Sequence, residues 1–191
     1  EHARRWLKYT GCAPERTFVT GSPMAEVLRA NLSAIDASDV LEREGLEERG
    51  YFLLSAHHEE NIDTEANFRS LFGAVNALAE EYGRPILYSC HPRSRKRLEE
   101  TGFKLHPLVR THEPMGFHDY TKLQSSAFCV VSDSGTLPEE SSFFASIGAP
   151  FPAVCIRTST ERPEAMERGC FVLAGIDERG LINAVRTAVA L

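Results

Sequence analysis

The chain has 191 residues, 42% hydrophobic and 25% charged, the balance of a globular fold rather than a disordered one. No run approaches the roughly 18 apolar residues of a membrane span, and no basic start followed by an apolar stretch marks a secretory signal. A formal net charge of −6 argues against a general nucleic-acid binder, while leaving room for a phosphate ligand, which needs only local donors.

The chain opens at Glu1 on EHARRWLKYTG, which reads as a helix already running, and stops on DERGLINAVRTAVAL, an amphipathic helix without a stop signal. Both ends predict a piece cut from a longer protein. Between them, short β-rich runs alternate with helical segments. YFLLS (51–55) predicts a strand, residues 64–83 a helix closing on Gly83, and PILYSC (85–90) the next strand. A basic helical segment follows at 92–100, a weaker strand within 104–112, and a helix over 116–126. AFCVVSD (127–133) is apolar almost throughout, as expected of a strand covered on both faces. A helix over 137–148, a strand at 152–157, a short helix at 162–169, a strand at 170–175 and a helix from Asp177 complete the chain. Five or six strands with intervening helices predict one α/β domain over 1–191: a Rossmann-like parallel sheet with helices on both faces. In such sheets ligands bind where the strands end. The five cysteines are odd in number, scattered, and without a C-x-x-C pair. They predict buried, reduced thiols and a cytoplasmic location.

Four strand-end loops hold the candidate chemistry. SAHHEENID (55–63) packs two histidines, two carboxylates and an amide behind an apolar strand. Its alternative reading is a polar loop in which Asp63 or Thr64 caps the next helix. A metal site is disfavoured, because neighbouring His57 and His58 rarely both aim at one ion and no H-x-x-x-H or Cys/His spacing supports one. In SCHPRSRKRLEE (89–100), His91 is the candidate; Arg93, Arg95, Lys96 and Arg97 read as a solvated face paired with Glu99 and Glu100. SDSGT (132–136), between a buried strand and a helix, is the strongest local signal. Its small residues admit a close ligand, Gly135 permits positive φ, and the helix start offers N–H groups to a phosphate. Glu139 and Glu140 in the first helical turns suit ribose hydroxyls. Plain capping by Ser134 or Thr136 is the alternative. The loop 156–169, with Arg157 to Arg162, reads by itself as hydrated.

Together, GSPMAEVL (21–28), SAHHEEN (55–61), the His91 segment, SDSGTLPEE (132–140) and TSTERPEAMERG (158–169) resemble, in order, the non-hydrolysing UDP-N-acetylglucosamine 2-epimerase family. SAHHEEN, and SGT where SGG is usual, look most like the branch that forms UDP-N-acetyl-L-fucosamine for capsule and O-antigen polysaccharides. The resemblance implies the carboxyl-terminal half of a two-domain GT-B-type fold, with the amino-terminal domain and its catalytic carboxylates absent. It implies a UDP-linked 2-acetamido sugar as substrate, no cofactor and no metal, and a homodimeric full-length protein in the cytoplasm. It places His57 as the catalytic donor to departing UDP, Ser134 and Gly135 on phosphate, and Glu140 on the ribose. Glu60, His91 and Arg162 fall near the cleft. His58 departs from the family's usual Arg. Other readings are a UDP-GlcNAc/UDP-ManNAc 2-epimerase, a glycosyltransferase donor domain with its different E-x7-E pattern, and a non-catalytic nucleotide-sugar-binding module.

Overall fold

The computed structural model describes residues 2–157, 160 and 163–191. Six parallel strands form one sheet in the order β3-β2-β1-β4-β5-β6. They are β1 (Phe52–Ser55), β2 (Ile86–Ser89), β3 (Val109–His112), β4 (Cys129–Ser132), β5 (Ala153–Ile156) and β6 (Val172–Ala174). All six predicted strand runs are present, each trimmed to three or four paired residues. The chain winds outward from β1 to β3, crosses back to β4 beside β1, and winds outward again. Direction reverses between β1 and β4, where Ser55 pairs in register with Ser132. This is the switch point at which doubly wound sheets open a crevice.

Side chains alternate across the sheet, and each face has its own core. Phe52, Leu54, Tyr88, Val131 and Ile156 face one layer, with Phe68, Leu71, Phe72 and Val75 of the long helix α5 (Glu65–Tyr82) and Leu181 and Val185 of the last helix α10 (Glu178–Ala190). Tyr51, Leu53, Leu87 and Val130 face the other, with Leu28, Leu123, Leu137 and Phe143. The β1 residues are buried throughout, so burial on both faces explains why YFLLS reads as a continuous apolar run rather than an alternating one.

Local signals set several of the helix ends. The Thr64 hydroxyl accepts from the Asn67 N–H and opens α5, while Gly83 closes it at φ 57°, a left-handed conformation that glycine adopts without a Cβ clash. The basic segment is helix α6 (Pro92–Thr101), and α7 (Phe117–Ser126), α8 (Leu137–Ser146) and α9 (Pro163–Glu167) lie inside their expected ranges. The sequence reading missed α2 (Met24–Asp36), α3 (Val40–Glu44) and the single turn α4 (Glu59–Ile62) inside the SAHHEENID loop. The first helix, α1 (His2–Tyr9), buries no residue. Trp6, Tyr9, Phe18 and Val19 leave large apolar surfaces exposed at this end of the molecule. The cysteine expectation needs correcting. Cys90, Cys129 and Cys155 are buried, but Cys12 is exposed just beyond α1 and Cys170 is half-buried at the margin of the second core; no disulfide joins the five. Among the described residues no helix is long and apolar enough to cross a membrane.

Candidate functional site

The crevice between β1 and β4 is organised around Asp133. This residue directly follows β4, and its side chain is completely buried. Its N–H donates to the Ser55 carbonyl at 3.1 Å, continuing the strand pairing by one step. Its carboxylate receives donors from the SAHHEENID loop. The His58 N–H reaches Oδ2 at 2.8 Å, the His57 N–H reaches it at 3.0 Å, and the Asn61 amide reaches it at 3.1 Å. The His57 ring Nδ1 lies 3.2 Å from Oδ1. Dipolar donors satisfy this carboxylate, which is what a buried acid requires. Asn61, itself buried, also donates to the Ile156 carbonyl at 2.9 Å. The ends of β1, β4 and β5 are thereby tied to one loop. The entry to that loop is held too, since the Ala56 carbonyl accepts from Tyr88 Oη at 2.9 Å and Ser94 Oγ at 3.1 Å.

His57 projects from this buried anchor with its side chain about half exposed. The SDSGT turn and the histidine therefore meet at the switch point, through Asp133. Asp133 and Asn61 received no role in the sequence reading. The available signal was an acid and an amide at the ends of neighbouring strands, but their meeting depends on the strand order.

The turn into α8 differs in detail from its sequence reading. Gly135 does not have a positive φ, so the expected left-handed turn is corrected. The Ser134 N–H donates to Ser132 Oγ at 3.0 Å and the Thr136 N–H to Ser134 Oγ at 3.3 Å, closing the turn without that conformation. A Cβ at Gly135 would meet nothing within 4 Å, so its surroundings are open. Thr136 does not cap the helix with its side chain. Its hydroxyl instead donates to Glu140 Oε1 at 2.9 Å.

Glu140 is buried. Its other oxygen accepts from Gln124 of α7 at 2.6 Å, and Gln124 Oε1 is left buried without a partner. Burial pushes the Glu140 carboxyl above its ordinary value of 4.5, against the pull of Gln124 and Thr136. Tyr120 of α7 shares this region. Burial and the nearby Glu140 and Asp133 carboxylates push its phenol well up, while Ser55 and Ser132 pull it back. A raised carboxyl value means that the folded state holds its proton longer than the unfolded chain. The resulting stabilisation is complete below pH 4.5 and is lost as pH rises through the folded value. Glu140→Gln removes that loss, and its amide oxygen can still accept from Gln124. Its stability relative to wild type is expected to rise from pH 4 towards neutrality, as read by calorimetry at several pH values; parallel pH curves would contradict a raised Glu140.

The remaining candidates lie around this centre. His91, at the end of β2, caps α6: its Nδ1 accepts from the Arg93 N–H at 3.3 Å. Glu60 lies exposed on α4. Arg162 lies outside the described residues. The expected pairing of the basic segment with Glu99 and Glu100 holds only for Lys96, which is 3.7 Å from Glu100. Arg93 instead bridges Glu59 at 3.1 Å and Asp63 at 2.5 Å, and Arg95 meets Glu113. These cations face neighbouring loops because the ends of β1, β2 and β3 are adjacent. A groove of about 890 Å³ opens beside the start of α8, bordered by Arg4, Phe18, Ser22, Pro138, Glu139 and Arg168.

Over residues 1–191 the chain matches the family model for UDP-N-acetylglucosamine 2-epimerase. The chain belongs to this epimerase family. A UDP-N-acetylglucosamine 2-epimerase structure from Rickettsia bellii is 37% identical with a TM-score of 0.84, covering 100% of this chain and 49% of that one. The Methanocaldococcus jannaschii UDP-GlcNAc 2-epimerase, solved with UDP-GlcNAc and UDP, is 28% identical with a TM-score of 0.87, covering 99% and 52%. A curated UDP-N-acetylglucosamine 2-epimerase of that organism is 28% identical over 192 residues, 97% of this chain and 51% of its own length. This epimerase-family chain thus spans about half the length of the relatives it matches.

Proposed function

We propose that this chain is the UDP-binding, carboxyl-terminal half of a UDP-sugar 2-epimerase. It would act on a UDP-linked 2-acetamido sugar together with an amino-terminal domain. The observation carrying this reading is the meeting of the His57 loop and the SDSGT turn on Asp133 at the switch point. An open strand-end surface fits one wall of a two-walled cleft. The exposed Trp6, Tyr9, Phe18 and Val19 are apolar surface that a further domain could cover.

In the proposed reaction the C2 proton is removed and the C1–O bond breaks, with its electron pair leaving on UDP. This gives a 2-acetamidoglycal. Reprotonation of C2 on the opposite face and addition of UDP back to C1 complete the inversion. Negative charge grows on the departing diphosphate, so a preorganised donor there lowers the barrier. We assign that place to His57 and the phosphate contacts to Ser134 and Gly135. Glu140 takes the ribose by exchanging its internal partners for sugar hydroxyls; Glu60, His91 and Arg162 stand near the cleft. The bases acting at C2 are assigned to the other domain. No metal or redox cofactor is needed for these steps.

SAHHEEN and SGT favour the 6-deoxy-L-talo sugar that yields UDP-N-acetyl-L-fucosamine for capsule or O-antigen synthesis in the cytoplasm, the enzyme acting as a homodimer. The second reading, UDP-GlcNAc/UDP-ManNAc exchange, is favoured by the names of the relatives. The test is the protein joined to its amino-terminal half, incubated in deuterium oxide with each UDP-sugar. Deuterium at C2 with inverted product is expected, faster for the preferred sugar. Absence of label from both sugars would remove the epimerase reading and leave a nucleotide-sugar-binding module.

A further inference from the structure

Asp133 has three hydrogen-bond donors on its carboxylate and the His57 ring 3.2 Å away, and their arrangement is directional. Oδ2 accepts from the His57 N–H, the His58 N–H and the Asn61 amide. Oδ1 faces the His57 ring at Nδ1, with a longer approach of 3.2 Å from the His57 N–H. A carboxylate can only accept, so the ring nitrogen beside it is the one that carries hydrogen. Nε2 is then the nitrogen at the free end of a ring whose side chain is about half exposed.

We propose that Asp133 is a positioning residue: it fixes the His57 ring with Nδ1–H on the carboxylate and presents Nε2 to the leaving diphosphate. This deepens the assignment of His57 made above and rests on it. Nε2 donates to the diphosphate when it too carries a proton, and the buried carboxylate then stands beside the resulting imidazolium. The same carboxylate holds the backbone of residues 57 and 58, so ring orientation and loop position have one anchor. Burial of Asp133 and the second bond from Asn61 to Ile156 keep that anchor rigid.

An isosteric change separates anchoring from ring control. In Asp133→Asn, the three donors on Oδ2 require the single amide oxygen at that position. The NH₂ must then face the His57 ring, where it can only donate, so Nδ1 becomes the acceptor and hydrogen moves to Nε2. Long-range ¹H–¹⁵N spectra of the ¹⁵N-histidine-labelled chain, at about pH 8.5 and so above the ordinary imidazole range, read this directly. His57 signals are identified by their loss in His57→Gln. The wild-type ring is expected as the Nδ1–H tautomer and the Asp133→Asn ring as Nε2–H. A wild-type Nε2–H tautomer, or an unchanged tautomer in the variant, overturns the proposal; the wild-type result needs no substitution at all.

In the protein joined to its amino-terminal half, Asp133→Asn should lower kcat about tenfold, because its neutral Nε2–H still donates but without the charge of an imidazolium backed by a carboxylate, with KM within about threefold. A kcat within about threefold of wild type overturns the catalytic consequence. Unchanged turnover in His57→Gln would instead remove His57 from the reaction. The tautomer comparison, made without substrate, would still decide whether Asp133 sets the ring.

Discussion

Asp133→Ala is expected to destabilise the chain by about 3 kcal/mol, lowering the melting temperature by about 6–12 °C. The truncation removes an acceptor shared by two backbone N–H groups and the Asn61 amide. Buried donors without an acceptor each cost about 1–3 kcal/mol, although water entering the half-open crevice recovers part of this. Asp133→Asn keeps one oxygen for those donors and should stay within about 1 kcal/mol of wild type. Thermal unfolding of the two variants side by side checks the argument. Equal losses would mean that the carboxyl group fills space rather than organising the loop.

Phe72→Ala should cost about 3–5 kcal/mol, or about 6–20 °C in melting temperature. Phe72 is fully buried in an aromatic cluster, with ring centroids 4.7 Å from Phe68, 5.5 Å from Tyr88 and 6.1 Å from Phe103. Truncation leaves a cavity that these rigid rings cannot readily collapse to fill. The damage reaches towards the site, because Tyr88 donates to the Ala56 carbonyl immediately before His57. Calorimetry of Phe72→Ala against wild type gives the comparison; a loss under about 1 kcal/mol would mean that the cluster repacks freely.

What could be read from the chain in advance depended on whether its cause was local. Apolar runs such as YFLLS and AFCVVSD announced β1 and β4 because both faces of each strand are covered. Thr64 and Gly83 marked the ends of α5 through short-range capping. The segment holding α2 and α3 went unread: its helices bury few residues, with Leu28 and Ile35 on α2 and Val40 on α3. At the site, the family motifs singled out His57, Ser134 and Glu140, but their surroundings came from distant segments. Asp133 gains its meaning from donors 72 to 76 residues away. Glu140 looked like an ordinary first-turn carboxylate until Gln124 from a neighbouring helix covered it. Gly135 suggested a left-handed turn because glycine permits one, but two serine hydroxyls close that turn in another way.

The crossover that places β4 beside β1 also imposes an order on assembly. The two strands are separated along the chain by α4, α5, β2, α6, β3 and α7, so their union closes one of the larger loops in the molecule, and such closures are slow. Until it happens, the histidine loop has no carboxylate to gather around. A nascent chain in which only the first three strands have joined can contain every residue of the SAHHEENID segment and still lack an aimed imidazole. Chemical competence arrives only with the central seam of the sheet.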